Sequence, residues 1–342
     1  MVEGKPIGIG NIAYVMGMSS KKLHRWYKEV LSGFVEAERS GELDKYNIKV
    51  REKGEAHEIK VPIFEEKNLG ENMAIDEKNL SGNLYTVMSN RDTGKIAMMA
   101  STIKTAYLVK IAKGFDVNKR MKVKSLSRDM ANHYEWFGKQ VFMNAYHIAD
   151  KFHVIKSILQ QLQSSRIYYR QLELTKRRLA KENKETYQET IFENGDTTLQ
   201  LLARSKGLLF LFPSQWTEQQ KARAKILFDK FPQIKKIYYK VIKIRNWYKA
   251  PKSKTTYEKT RIKKKLEINE IIKKLTKSRI NELLNIANTL SNNLQYILHY
   301  FIAKETNAKA EALNQNLQRF IITNYGARNI KFFIFRIKIY FS

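Results

Sequence analysis

The chain has 342 residues, no cysteine, and 63 Lys plus Arg against 33 Asp plus Glu, for a formal net charge of +30. Its length and 43% hydrophobic content support substantial packed cores, and the missing cysteines exclude a disulfide framework or a thiolate zinc site, leaving any metal to oxygen or His ligands. The charge points to a polyanion, with nucleic acid first. No apolar run approaches the roughly 18 residues that span a bilayer, and the N-terminus lacks the basic start and apolar core of an export signal, so the expectation is a cytoplasmic protein with no membrane partner.

From Asn11, "NIAYVMGMSSKKLHRWYKEVLSGF" reads as a short apolar helix, a turn at Gly17 with Ser19 or Ser20 as N-cap, and a second helix. In that second helix Leu23, Tyr27, Val30, Leu31 and Phe34 share one face, and Lys21, Lys22, Arg25 and Lys28 lie off it. Residues 1–35 therefore resemble a helix-turn-helix with those four cations toward DNA, although an ordinary helical hairpin fits the same pattern. Residues 36–70 are charged, carry no sustained period and read as a linker.

"ENMAIDE", "NLYTVMSN" and "GKIAMMAST" read as three strands, the last two joined by hairpin chemistry at Asp92 and Gly94. A helix ("TIKTAYLVKIAKGF"), a strand ("MKVKSLSRDM"), a helix ("ANHYEWFGKQVF") and a strand ("AYHIAD") come next, which together predict a mixed α/β sheet of three antiparallel strands and then parallel ones. Beyond Phe152 the pattern is helical to about Arg319, with a capping box from Thr217 and Gln220 opening one helix. The stretch Ile234 to Ile280 holds 17 Lys or Arg against 3 acids, with Tyr238, Tyr239, Trp247, Tyr248 and Tyr257 among them. Cationic stems interleaved with rings suit phosphates and unstacked bases, and Lys263, Lys264 and Lys265 are its densest run; a solvated helical face with core aromatics is the alternative.

Asp76, Asp129 and Asp150 each end a predicted strand, and Glu311 lies on a late helix. Strand ends in an α/β sheet form the crevice where ligands bind, so these acids can converge although they are far apart in the chain. Converging carboxylates need a cation to offset their repulsion, and oxygen-only ligation selects Mg²⁺ or Mn²⁺. Asp at a strand end also serves ordinary turns.

The ordered set "AIDEKNLSGNLYTVMSN", "DMANHYEW", "IADKFHVIK", "ENGDTTLQLLARSKGLLF", "WTEQQKARAKILFDKFPQIKKIY", "TNAKAEALN" and "YGARNIKFFIFRI" resembles bacterial insertion-sequence DDE transposases. The relevant group carries an Asp-Arg-Phe-His-Val motif and a Thr-Asn-x-x-x-Glu motif, and the resemblance runs from about Asn72 to the C-terminus. It implies an RNase H-like fold interrupted by a helical insertion. The implied parts are a first core segment at 71–163, a basic helical insertion at 164–290 and a second core segment at 291–342. It also implies two Mg²⁺ (or Mn²⁺) ions held by the catalytic acids Asp76, Asp129 and Glu311, with Asp150, His153 and Asn314 supporting the site or, for Asp150, standing in as a ligand. His153 reads equally as a core histidine.

Lys151 is implied as a phosphate contact, as are Arg328 and Asn329, for which a structural cap role fits equally. Two positions depart from the family pattern: Arg128 stands where an apolar strand residue is usual, and Lys151 where Arg is usual. The implied activity is binding of terminal inverted repeats in double-stranded DNA, with Mg²⁺-dependent cleavage and strand transfer by a homodimer or larger synaptic assembly at the bacterial nucleoid. A catalytically inactive DNA-binding relic and an RNase H-like nuclease without strand transfer are the rival expectations.

Overall fold

The computed structural model describes residues 9–52, 54–80, 82–249, 257–302, 308–323 and 329–342. The chain divides into two compact units, Met1–Ile148 with Ala303–Ser342, and Ala149–Ile302.

The first unit opens with α1 (Ile9–Val15) and α2 (Ser20–Trp26), joined at Gly17, whose φ of 63° is one that side chains disfavour. A π-helical turn, Tyr27–Leu31, continues α2 and precedes α3 (Phe34–Arg39). That turn corrects the predicted apolar face: Leu23, Tyr27 and Phe34 are buried, but Val30 and Leu31 are exposed. A π turn adds a residue to the helical period and so rotates the next residues off the stripe. The buried residues close a cluster with Ile9, Ile12 and Ala13 against Phe332, whose ring meets those of Tyr27 and Phe34 edge-on.

Residues 36–70, expected as a linker, are structured. β1 (Ile48–Glu52) and β2 (Glu55–Ile59) form an antiparallel hairpin turning at Gly54. The short β3 (Ile63–Phe64) then joins the main sheet. The hairpin buries only Val50 and Ile59, so its apolar alternation is swamped by charge.

β4 (Asn72–Leu80), β5 (Asn83–Asn90) and β6 (Ile96–Ala100) make the expected antiparallel meander. Then come α4 (Thr105–Ala112), α5 (Val117–Met121), β7 (Ser125–Arg128), α6 (Asn132–Val141) and β8 (Tyr146–Ala149). The sheet order is β3-β6-β5-β4-β7-β8, with β7 parallel to β4.

Both faces of this sheet are covered, which is why β6 reads as an unbroken apolar run with all five residues buried. One face packs Met73, Ile75, Met88 and Leu126 against Leu108 and Ile111 of α4 and Tyr134, Phe137 and Val141 of α6. The other packs Leu80, Tyr85, Val87 and Met99 against two late helices, α14 (Ala308–Thr323) and α15 (Ile330–Phe341).

The second unit is built from helices, α7 (Lys151–Glu182), α8 (Thr198–Leu208), α9 (Glu218–Lys230), α10 (Pro232–Lys249), α11 (Tyr257–Thr276), α12 (Asn281–Asn292) and α13 (Leu294–Ile302), with an irregular segment at 183–197 closed by a bridge between Ile191 and Thr197. α7 packs against α8, α10 and α12, and α11 against α12 and α13. The expected capping box of Thr217 and Gln220 opens α9, and a second one, Thr197 with Gln200, opens α8. Before α8 the fully buried Asp196 takes ion pairs from Arg204 and, at 2.8 Å, from Arg223, plus a 2.9 Å hydrogen bond from Asn194. Burial raises the pKa of this carboxyl and the two guanidinium groups more than offset it, so it lies below the ordinary range.

Candidate carboxylate site

β4 and β7 run parallel with Asn72 beside Ser125, Met73 beside Leu126 and Ala74 beside Ser127. The paired register ends at Ala74 and Ser127, two residues before Asp76 on β4 and two before Asp129, the first residue past β7. Neighbouring strands lie about 4.8 Å apart, so the two acids follow the last paired residues of adjacent strands at equal spacing. Side chains alternate along a strand, and Ser125 donates a 2.6 Å hydrogen bond to Asn72 on the face that Ala74, Asp76 and Ser127 share.

That is the face covered by α14. Val87 lies opposite Asp76 across the β4–β5 pair and packs in one cluster with Leu313, Leu317 and Phe320. Glu311 sits on α14, two positions before Leu313. The side chains of Glu311 and Asn314, and all of Thr306, Asn307 and Arg328, lie outside the described residues.

Asp76 is partly exposed and is held locally: the Glu77 amide donates to Oδ1 at 2.8 Å and Lys78 Nζ to Oδ2 at 2.5 Å. Glu77 points to the opposite face, where the Tyr134 hydroxyl donates to it at 2.9 Å and His133 Nε2 lies 3.8 Å away. Burial pushes the Tyr134 phenol far up, with the charges of Glu77 and Asp76 adding to it, so Tyr134 is a permanent donor here.

Asp129 is the first residue past β7 and accepts from the Met130 amide at 2.5 Å. The preceding Arg128, one of the departures from the family pattern, is among the most buried large side chains of the described residues. Its guanidinium donates to the carbonyls of Asp129 (2.9 Å) and Ala131 (3.3 Å), to Glu135 (3.2 Å) and to His147 Nδ1 (3.3 Å). The end of β7 is therefore anchored.

In the second unit Asp150 caps α7, accepting from the Phe152 amide at 2.7 Å. An acid at the end of "YHIA" thus has a structural cause: Asp is among the best N-caps and complements the helix dipole. His153 lies half-buried in the first turn, edge-on to Phe152. Lys151 stands over the rings of Tyr248 and Tyr300 at 5.8 and 5.4 Å.

The expected DNA contacts divide. Lys21, Lys22, Arg25, Lys263 and Lys265 are exposed, and Lys28 is half-buried over the Phe34 ring. Lys264 is a correction: it is 6% exposed, donates to the Trp247 carbonyl at 3.0 Å and pairs with Glu267 at 3.3 Å, so it belongs to the core. The interleaved aromatics are corrected likewise. Tyr238, Trp247 and Tyr248 are buried and offer no stacking platform, whereas Tyr239 is exposed; the Tyr257 side chain lies outside the described residues. Sequence reading also missed Lys78, Tyr134 and His147, of which only Lys78, two residues from Asp76 on a strand, carried a signal.

Among the described residues no three His, Asp or Glu side chains gather as a metal site. Carboxylate oxygens are the donor type a divalent hard cation takes. Asp76 stands on β4 and Asp129 just past the adjacent β7, Glu311 belongs to the helix over the Asp76 face, and Asp76 carries a cationic partner in Lys78.

A basic mixed α/β protein with an acid just past the paired stretch of each of two adjacent strands is the class this architecture defines. Residues 73–337 match the family model described as transposase, DDE_Tnp_ISL3, and the chain belongs to that transposase family. No curated protein and no solved structure matches the chain. No described helix is long and apolar enough to cross a membrane.

Proposed function

We propose that the protein is a DDE transposase that binds the inverted-repeat ends of its own insertion sequence and carries out Mg²⁺-dependent strand cleavage and strand transfer. The observation that carries this reading is the parallel β4–β7 register, which puts Asp76 and Asp129 equally far past the last paired residues of adjacent strands, with the helix that bears Glu311 over the Asp76 face. The strand order β6-β5-β4-β7-β8, antiparallel through β4 and parallel at β7, supports an RNase H-like core. The helical segment between β8 and α14 supports the interruption of that core.

Asp76, Asp129 and Glu311 would hold two Mg²⁺ or Mn²⁺ ions. Bound there, such ions supply activation of a water or 3′-hydroxyl and stabilisation of the leaving oxygen. The chain's own residues do the rest. Lys78 limits repulsion around Asp76 before DNA arrives, and Tyr134 fixes Glu77 and with it the backbone carrying Asp76. Exposed cations of α2 and α11 grip phosphates. Residues 1–35 act as a helix-turn-helix-like module, and a homodimer or larger assembly brings two ends together at the nucleoid.

The test is incubation with Mg²⁺ and duplexes carrying the element's ends, scoring both nicked and joined products. Asp76→Asn, Asp129→Asn and Glu311→Gln are expected to abolish cleavage while leaving DNA affinity intact, because removing a negative charge near phosphate does not weaken binding. Cleavage by all three variants would withdraw the catalytic claim in favour of a DNA-binding relic; cutting without joining would make the protein a nuclease.

A further inference from the structure

We infer that Arg128 is a positioning residue for the Asp129 carboxylate, through a clamp completed by Glu135 and His147. The inference rests on the reading of Asp129 as a metal-holding acid. A guanidinium buried to 1% exposure costs several kcal/mol of lost hydration unless its donors are met. Here they are met from three elements: the carbonyls of Asp129 and Ala131 where the chain leaves β7, the Glu135 carboxylate in the first turn of α6, and the Nδ1 of His147 on β8.

The imidazole is itself fixed. A Cβ at Gly138 would come 2.5 Å from its Nε2, so α6 packs directly on His147 and only glycine admits the approach. One nitrogen, Nη1, donates to both the Asp129 and the Ala131 carbonyls, while Nη2 and Nε are directed to Glu135 and His147, so the rigid guanidinium ties the backbone at Asp129 to α6 and β8.

Apolar side chains replacing Arg128, Glu135 and His147 together would fill this volume with equal or better stability, since buried ion pairs seldom outperform hydrophobic packing. What an apolar residue cannot do is hold the two carbonyls. The site would then retain Asp129 without its orientation, and removal of such supporting hydrogen bonds typically weakens metal affinity about 10- to 100-fold.

The experiment is calorimetric titration of the full chain with Mn²⁺, alongside thermal melting, for wild type and for Asp129→Asn, Arg128→Met, Arg128→Lys and Glu135→Gln. Arg128→Met is expected to bind Mn²⁺ at least about tenfold more weakly with DNA affinity unchanged. Lys, which keeps the charge but lacks the fork, should recover only part of the loss. Glu135→Gln, which leaves the carbonyl contacts in place, supplies a milder weakening in the same direction should Arg128→Met fail to fold.

If Asp129→Asn weakens Mn²⁺ binding while Arg128→Met and Glu135→Gln bind as wild type, the clamp is structural only and the inference is overturned, with Asp129 keeping its role. If Asp129→Asn itself binds as wild type, the reading of Asp129 falls and the clamp falls with it.

Discussion

Lys264 shows how one side chain can belong to a basic run and yet serve the core. It lies between the exposed Lys263 and Lys265, but it falls on the helical stripe of Ile268, Ile271 and Leu275, and its ammonium stands near the rings of Trp247 and Phe301. Replacing it with Met leaves the Trp247 carbonyl and Glu267 without this donor, at a cost of about 1–3 kcal/mol, to be read as a lower melting temperature. The double change of Lys263 and Lys265 to Gln should leave melting unchanged. Should that face meet DNA, the change also flattens the salt dependence of binding by up to about 0.9 for each phosphate no longer neutralised. An unchanged slope would remove α11 from the DNA surface.

Elements of the second unit depend on acids whose roles are separable from chemistry. Asp150→Ala removes the cap of α7 and should cost about 0.5–2 kcal/mol, whereas Asp150→Asn retains an equivalent cap and should be nearly neutral in melting. Loss of cleavage in Asp150→Asn without loss of stability would give that residue a chemical role.

Asp196 is the stronger case, because Asp196→Ala removes the shared partner of Arg204, Arg223 and Asn194 and should destabilise the unit by about 1–3 kcal/mol. Its folded-state pKa is depressed, so its stabilisation is fully present above the ordinary carboxylate range and is lost as pH falls through the lower folded value. Acid melting of wild type should accordingly steepen below that range, and Asp196→Asn should lose this pH dependence.

At the scale of the whole molecule, the strands and helices that position the site were legible because each carries a period the core enforces. The meander, the Thr217 cap and the fully apolar β6 all read directly. The β1–β2 hairpin was not legible, since a two-stranded element with one exposed side leaves hardly any apolar pattern. The π-helical turn after α2 was hidden because no residue type marks it. Asp76 and Asp129 could each be picked out as strand-end acids, but the register that makes their strands parallel neighbours forms between strands and is not written along either one.

The charge of +30 now has a place on exposed helical faces, while many of the aromatics among those cations turn inward to build the second unit. The measurement that tests the central claim most directly is anomalous diffraction from crystals of the full chain grown with Mn²⁺. The account predicts Mn²⁺ peaks within coordination distance of Asp76 and Asp129, on the face covered by α14, with Glu311 completing the set. Peaks held by other residues, with none near Asp76 or Asp129, would contradict it.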